Sequence, residues 1–275
     1  MAAALDEKTA TAVTALKEKG ILPRLAILRV GEREDDLAYE RGAIKRCAKV
    51  GVEVKSVVLP VDAAQAELMA AIEGLNADCT VHGVLMFRPL PKTLDEKAAC
   101  AALLPSKDVD GITSGSMAKV YSGSGEGFPP CTAQSVMEIL KFYGVETSGK
   151  KAAVIGRSLV IGRPVSMLLM AANATVATCH TKTIDIPAIT RYADVVVAAA
   201  GKGESITAEY FSEGQTVIDV GINYSEAKQK LVGDVDFESV EPKVKAISPV
   251  PGGVGSVTTA VLCSHVVEAA ERAAK

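Results

Sequence analysis

The sequence predicts an α/β protein with a parallel sheet, and three observations predict it. Short apolar strands alternate with helical stretches along the chain, a βαβ rhythm. Asp194 to Ala199 and Thr216 to Val220 are nearly all apolar, as strands buried on both faces of a parallel sheet are. The run Val154-Ile155-Gly156-Arg157-Ser158-Leu159-Val160-Ile161-Gly162-Arg163-Pro164 takes an apolar strand through a glycine-bounded turn straight into an apolar helix.

A helix is expected over Asp6 to Lys19, closed by Gly20. Strand Leu25 to Val30, helix Leu37 to Val50, strand Val54 to Leu59, helix Ala63 to Leu75 and the apolar strand Val81 to Phe87 follow. Pro89-Leu90-Pro91 then breaks the chain. A helix near Leu94 to Leu104 leads into residues 105–130, rich in Gly, Ser and Pro and expected to be an irregular linker or site loop. Thr132 to Tyr143 reads as a helix feeding strand Lys151 to Ile155. Helix Val165 to Ala172 begins just after Pro164, a residue suited to a first helical turn, and strand Ala174 to Thr178 follows. The last helix, Thr258 to Ala273, comes after a glycine-rich turn. There is no internal repeat and no low-complexity tract.

Composition narrows the function. With 275 residues, 48% hydrophobic and 23% charged, the chain supports two modest domains or one large one. A net charge of −3 without Lys/Arg runs argues against nucleic-acid binding. No apolar run approaches the ~18 residues of a membrane span, and Asp6 and Glu7 precede any long apolar stretch, which argues against a secretory signal. The six cysteines, at 47, 79, 100, 131, 179 and 263, lack ligand spacing. They are expected to be reduced core residues of a cytoplasmic protein that holds no metal.

The glycine turn is the first functional signal. Backbone N–H groups at such a helix start face the pyrophosphate of a dinucleotide. About 20 residues further on, an acid on the next strand end selects NAD, whereas a basic residue accommodates the 2′-phosphate of NADP. Here that strand ends in Cys179-His180-Thr181-Lys182-Thr183. Arg157, Thr181 and Lys182 supply donors and positive charge, which favours NADP. Asp185, three residues beyond Lys182, keeps NAD open as the alternative.

Pro89-Leu90-Pro91, Lys107-Asp108-Val109-Asp110-Gly111, Pro130-Cys131-Thr132, Gly156-Arg157-Ser158 with Gly162 and Pro164, Val217-Ile218-Asp219-Val220-Gly221-Ile222-Asn223, Gly233-Asp234-Val235 and Pro249-Val250-Pro251-Gly252-Gly253-Val254-Gly255 occur in this order. The set resembles the methylenetetrahydrofolate dehydrogenase/cyclohydrolase family over nearly the whole chain. The resemblance implies an N-terminal α/β folate domain, residues 1–135 completed by the C-terminal helix 259–275, and a Rossmann-type NAD(P)-binding domain, 136–258, with a cleft between them. It implies oxidation of 5,10-methylenetetrahydrofolate with NAD(P), in most members followed by hydrolysis of the methenyl ring, and a homodimer. By the same resemblance Asp110 binds the pterin and Tyr39 lines the folate site, these two being the candidate catalytic residues. Phe87, Pro251, Gly252 and Gly253 join them on the substrate side, while Gly156, Arg157, Ser158, Gly162, Pro164, Thr181, Lys182 and Ile222 fall to the cofactor.

The departures from the family bear on chemistry. The family tyrosine is followed four residues later by a lysine, one helical turn away on the same face. Here that position is Ala43, and Lys45 stands roughly 240° around the helix from Tyr39. The glutamine that partners the lysine, two residues ahead of Pro-Leu-Pro, is Phe87. Asp36, Ala133, Ser256 and Val257 also replace family residues at the site. Hydride transfer requires the two rings held face to face and no side-chain base. Ring hydrolysis requires water to lose a proton and a ring nitrogen to gain one. Alanine and phenylalanine transfer no protons, and Arg88 stays protonated. The expected activity is therefore a dehydrogenase that has lost cyclohydrolase activity. The alternative is a bifunctional enzyme in which Tyr39, Asp36 or a bound water has taken over.

Overall fold

A computed structural model describes residues 1–274. Contacts divide the chain into two units, Met1–Cys131 joined by the C-terminal run from Thr259, and Thr132–Thr258.

The first unit is built on a parallel sheet of order β2-β1-β3, with β1 Arg24–Val30, β2 Glu53–Leu59 and β3 Gly83–Met86. The crossovers are α2, Glu34–Val50, and α3, Gln65–Ala77, after the opening helix α1, Ala2–Glu18. Leu28, Leu68, Ile72, Val84 and Met86 form its core. Helix α2 starts three residues before its apolar pattern because Glu34, Asp35 and Asp36 suit the positive end of a helix dipole. It closes at Gly51, which takes the left-handed conformation with φ 81. Helix α4, Glu96–Ala102, leads into residues 105–130, which are more regular than expected. A 3₁₀ turn covers Pro105–Lys107 and helix α5 covers Ser114–Ser122. The Thr113 side chain caps α5 by accepting from the Ser116 N–H, and this local bond outweighs the poor helix propensity of a Ser- and Gly-rich run.

The second unit begins within α6, Cys131–Phe142. Its five-stranded parallel sheet has the order β10-β7-β6-β4-β5, made of β4 Lys151–Ile155, β5 Thr175–Cys179, β6 Val195–Ala198, β7 Thr216–Asp219 and β10 Ala246–Ile247. Strands β6 and β7 are buried along their whole length, as their apolar sequence requires. Helix α7, Gly162–Ala171, crosses from β4 to β5 and already includes the second glycine of the turn. Helix α8, Ile186–Thr190, the antiparallel hairpin of β8 Asn223–Ser225 and β9 Lys230–Val232, and helix α9, Phe237–Val240, have no counterpart in the sequence reading. They are too short to show a period. The last helix, α10, runs over Val254–Ala273 and so starts four residues earlier than expected. Ser256 Oγ donates to the Gly252 and Gly253 carbonyls, at 3.0 and 2.7 Å, which ties the glycines to its first turn.

Candidate active site

In the first unit the site residues come from α2, the end of β3 and the loop before α5. Tyr39 and Ala43 sit one turn apart on α2. Tyr39 is 36% exposed and Ala43 is fully buried, while Lys45 is exposed on another face of the helix. Phe87 lies just past β3, its N–H donating to the Leu28 carbonyl at 2.9 Å. Its ring is 9% exposed and meets the Tyr39 ring edge-on, centroids 5.8 Å apart at 86°. The two departures are thus apolar and packed, and an aromatic contact worth about 0.5–1.5 kcal/mol binds Phe87 to the site tyrosine. Arg88 forms a 3.7 Å ion pair with Glu96, whose other oxygen accepts from the Leu90 N–H at 2.8 Å.

Asp110 is held by a loop braced at every residue around it. Lys107 Nζ donates to the carbonyls of Leu75, Asn76 and Asp78, at 2.8, 2.8 and 2.7 Å, where α3 ends. The buried Asp108 carboxylate accepts from the N–H groups of Ile112 and Thr113, at 3.0 and 2.7 Å. The Val109 carbonyl accepts from the Cys131 thiol at 3.1 Å and lies 2.9 Å from His265 Nδ1 on α10. His265 stacks at 4.8 Å on Phe128, which makes it a packed core histidine. Burial pushes the Asp110 carboxyl up to about 6, and the Asp108 charge adds to this, while the Cys131 thiol and N–H and the Arg88 cation oppose it. The packed surroundings raise the Tyr39 phenol well above its usual value despite its open edge, with Asp110 the next cause. Tyr39 is therefore a neutral hydroxyl, and Asp110 is the carboxylate beside it that titrates near neutrality.

In the second unit, Gly156 ends β4 at φ 133, and a side chain there would strike the Ala199 backbone carbonyl. The Ser158 hydroxyl accepts from the Ile161 N–H at 3.1 Å and, longer, from the Gly162 N–H at 3.5 Å. Pro164 is buried in the first turn of α7, whereas Arg157 and Ser158 are exposed beside it. Past the neighbouring strand, Thr181 and Lys182 are exposed in a turn pinned by Thr183 Oγ1, which accepts from the His180 N–H at 2.9 Å. Asp185 caps α8 by accepting from the Ala188 N–H at 3.1 Å. A bare glycine approach, a helix start and two exposed cations across the ends of β4 and β5 fit a dinucleotide phosphate group.

A cavity of about 210 Å³ in this unit brings together Ile222, Leu231, Pro251, Gly252, Gly253 and Ser256. Asp219, which also lines it, accepts from the N–H groups of Gly221, Asp234 and Val235, at 2.9, 3.0 and 2.9 Å. Burial still pushes its carboxyl up to about 6, against those three bonds. The sequence reading assigned no role to Cys131, Lys107, Asp219 or Asp234. Each stood inside a quoted motif, which was the available signal. The cysteines are all free, and Cys79 is exposed, contrary to the expectation that all six lie in the core. No group of three His, Cys, Asp or Glu gathers as a metal site among the described residues, and no helix there is long and apolar enough to cross a membrane.

Comparison with known proteins meets this geometry at both units. Residues 1–110 match the family model for the catalytic domain of tetrahydrofolate dehydrogenase/cyclohydrolase, and residues 130–274 match that for its NAD(P)-binding domain. The bifunctional protein FolD of Clostridium botulinum (strain Langeland) is 49% identical over 257 residues, covering 94% of this chain and 91% of its own. The crystal structure of FolD from Campylobacter jejuni superposes with a TM-score of 0.95 at 39% identity, over 98% of this chain and 96% of that one. The Trypanosoma brucei dehydrogenase-cyclohydrolase, solved with NADP and an inhibitor, gives 0.92 at 34% identity, over 100% and 96%. Two domain matches, near-complete coverage and a shared architecture agree, and this chain belongs to the tetrahydrofolate dehydrogenase/cyclohydrolase family.

Proposed function

We propose that this protein oxidises 5,10-methylenetetrahydrofolate to the 5,10-methenyl form with NADP and leaves ring opening to another catalyst. The observation that carries the second half is the pairing of a fully buried Ala43 with a Phe87 ring packed on Tyr39, where the family places its proton-handling lysine and glutamine. A positioned acid or base contributes about 10²- to 10⁴-fold. Neither residue supplies one.

In this reading the first unit takes the folate. Asp110, when ionised, accepts from the pterin N–H groups with its two oxygens. Tyr39 and Phe87 give it an apolar wall. NADP, when bound, accepts the hydride, so the protein's work is to align the rings and exclude water. Gly156, Arg157, Ser158, Gly162 and Pro164 hold the pyrophosphate turn, and Ile222 lies on the cofactor side. NADP is favoured over NAD because Arg157, Thr181 and Lys182 stand exposed at the strand ends while Asp185 is engaged as a helix cap. The relative from Trypanosoma brucei was solved with NADP. A homodimer is part of the same reading, and sedimentation would measure it.

One observation favours a second reading. Burial raises the Asp110 carboxyl to about 6, which makes it a group able to take and give a proton near neutral pH beside a Tyr39 hydroxyl that stays protonated. The deciding experiment follows the decay of methenyltetrahydrofolate with and without protein that has been shown to reduce NADP with the methylene substrate. Decay at the spontaneous rate establishes the dehydrogenase-only reading. Accelerated decay establishes the bifunctional one, and Asp110, Tyr39 and Asp36 then become the residues to substitute.

A further inference from the structure

We propose that Asp219 and Asp234 are positioning residues for the nicotinamide half of the dinucleotide, acting from behind the loops that face it. This rests on the nucleotide reading above.

Sheet order sets where each half of the ligand goes. In an open parallel sheet a dinucleotide lies across the carboxyl ends of the strands. The pyrophosphate turn follows β4, and β5, on one side of it, leads into the turn of Thr181 and Lys182. The other half must then run across the ends of β6 and β7, on the opposite side. Two loops stand there, one after Ala198 and one after Asp219.

Both loops hang on the two carboxylates. Asp234 Oδ2 accepts from the Gly201 N–H at 2.9 Å, and its Oδ1 accepts from the Lys202 N–H at 3.0 Å and from Asn223 Nδ2 at 2.9 Å. Asp219 accepts from Gly221, Asp234 and Val235. Asp234, which anchors the β6 loop with its carboxylate, is thus itself tied to β7 through its own N–H. The packing is reciprocal: a side chain at Gly221 would strike the Asp234 carboxylate, and one at Gly233 would strike that of Asp219. Asp219 is 3% exposed and Asp234 fully buried. Two buried carboxylates are costly unless every lone pair is used, and here six donors converge on them. What this bracing presents outward is Ile222, 60% exposed between the anchored Gly221 and Asn223. Neither aspartate needs to touch the ligand, and each sets where Ile222 and the Gly201-Lys202 backbone stand.

The chemistry of the bracket supplies the test. An asparagine offers one acceptor oxygen where the carboxylate offers two, so D234N turns an N–H₂ group toward donors on one side of the bracket. Losing a charge-assisted bond of this kind corresponds to roughly a 10- to 100-fold change in an equilibrium. NADPH affinity of D234N and D219N, read from NADPH fluorescence, should weaken by about that factor. Affinity for adenosine 2′,5′-bisphosphate, which carries only the other half, should stay within about twofold because its site lies across β4 and β5. N223A removes a single donor and leaves both carboxylates, so it should show a smaller loss in the same direction, and it keeps the proposal open to test if the aspartate variants do not fold. Equal weakening of both ligands, or unchanged NADPH affinity in folded variants, overturns the proposal. A wild-type protein that binds neither ligand overturns the nucleotide reading itself.

Discussion

Placing the family's two polar residues in place of Ala43 and Phe87 tests the proposed loss of hydrolysis from the opposite direction. In A43K the new side chain would rise from a fully buried position one helical turn from Tyr39. Overpacking there costs about 1–3 kcal/mol, and the ammonium loses hydration unless it finds a partner. F87Q supplies an amide at the other departed position, at the loss of the 5.8 Å edge contact with Tyr39, which adds about 0.5–1.5 kcal/mol to that cost. The double variant should therefore be less stable by about 2–4 kcal/mol, and at roughly 2–4 °C per kcal/mol for a chain of this size the melting temperature should fall by about 4–16 °C. Its acceleration of methenyltetrahydrofolate decay should rise about 10²- to 10⁴-fold, while A43K alone gains far less because Phe87 offers the new ammonium no polar partner. The assay is the loss of methenyl absorbance at fixed pH and buffer concentration, with NADP reduction by the methylene substrate as the control for an intact site. A folded double variant that still reduces NADP but leaves the decay at the spontaneous rate would refute the argument that these two positions account for the missing activity.

Four further outcomes follow from the same geometry. Asp110 has a carboxyl raised to about 6, so it is ionised above that pH and protonated below it; KM for the folate should be flat above about pH 7 and rise as pH falls through 6, and D110N should abolish this slope. The stability term has the opposite sign, since burial favours the protonated form in the folded chain: the contribution of Asp110 is most favourable below the unfolded value near 4 and declines as pH rises through 6, which urea midpoints of wild type and D110N would reveal. K107M keeps the aliphatic stem but gives up three carbonyl contacts, and should cost about 1–3 kcal/mol in denaturant titration together with a higher KM for the folate. R157A combined with K182A should raise KM for NADP by at least about tenfold and leave KM for NAD nearly unchanged, and equal effects on both would argue against a 2′-phosphate contact.

What was legible in the sequence is what local physics writes there. Strands β6 and β7 announce themselves because both faces are buried, and α7 because a glycine turn followed by proline constrains the backbone before any packing occurs. Helix α5 was hidden by the opposite circumstance: its Ser and Gly residues favour loops, and its formation depends on the Thr113 cap and a buried Ser116. The candidate site divides in the same way. Tyr39, Ala43 and Phe87 were placed by the family resemblance, with the helix period serving only to set Lys45 on another face. The braces around Asp110 were not, because Cys131 and His265 reach the Val109 carbonyl across separations of 22 and 156 residues, with no repeat to mark them.

That division bears on how one activity can be lost while another survives. Ring alignment is a property of the frame: the Lys107 and Asp108 braces around Asp110, and the Asp219 and Asp234 bracket in the second unit, are buried and multiply bonded, so a change in any one unsettles several backbone groups together. Proton transfer depends on single side chains projecting from that frame. Ala43 and Phe87 alter two such side chains and leave every backbone bond around Asp110 in place. The edge contact with Phe87 is an apolar interaction that holds Tyr39 at a position where the resemblance implies a polar partner. On the dehydrogenase-only reading proposed above, recovering hydrolysis requires both positions to change together, because a lysine in place of Ala43, with Phe87 kept, has no amide partner there.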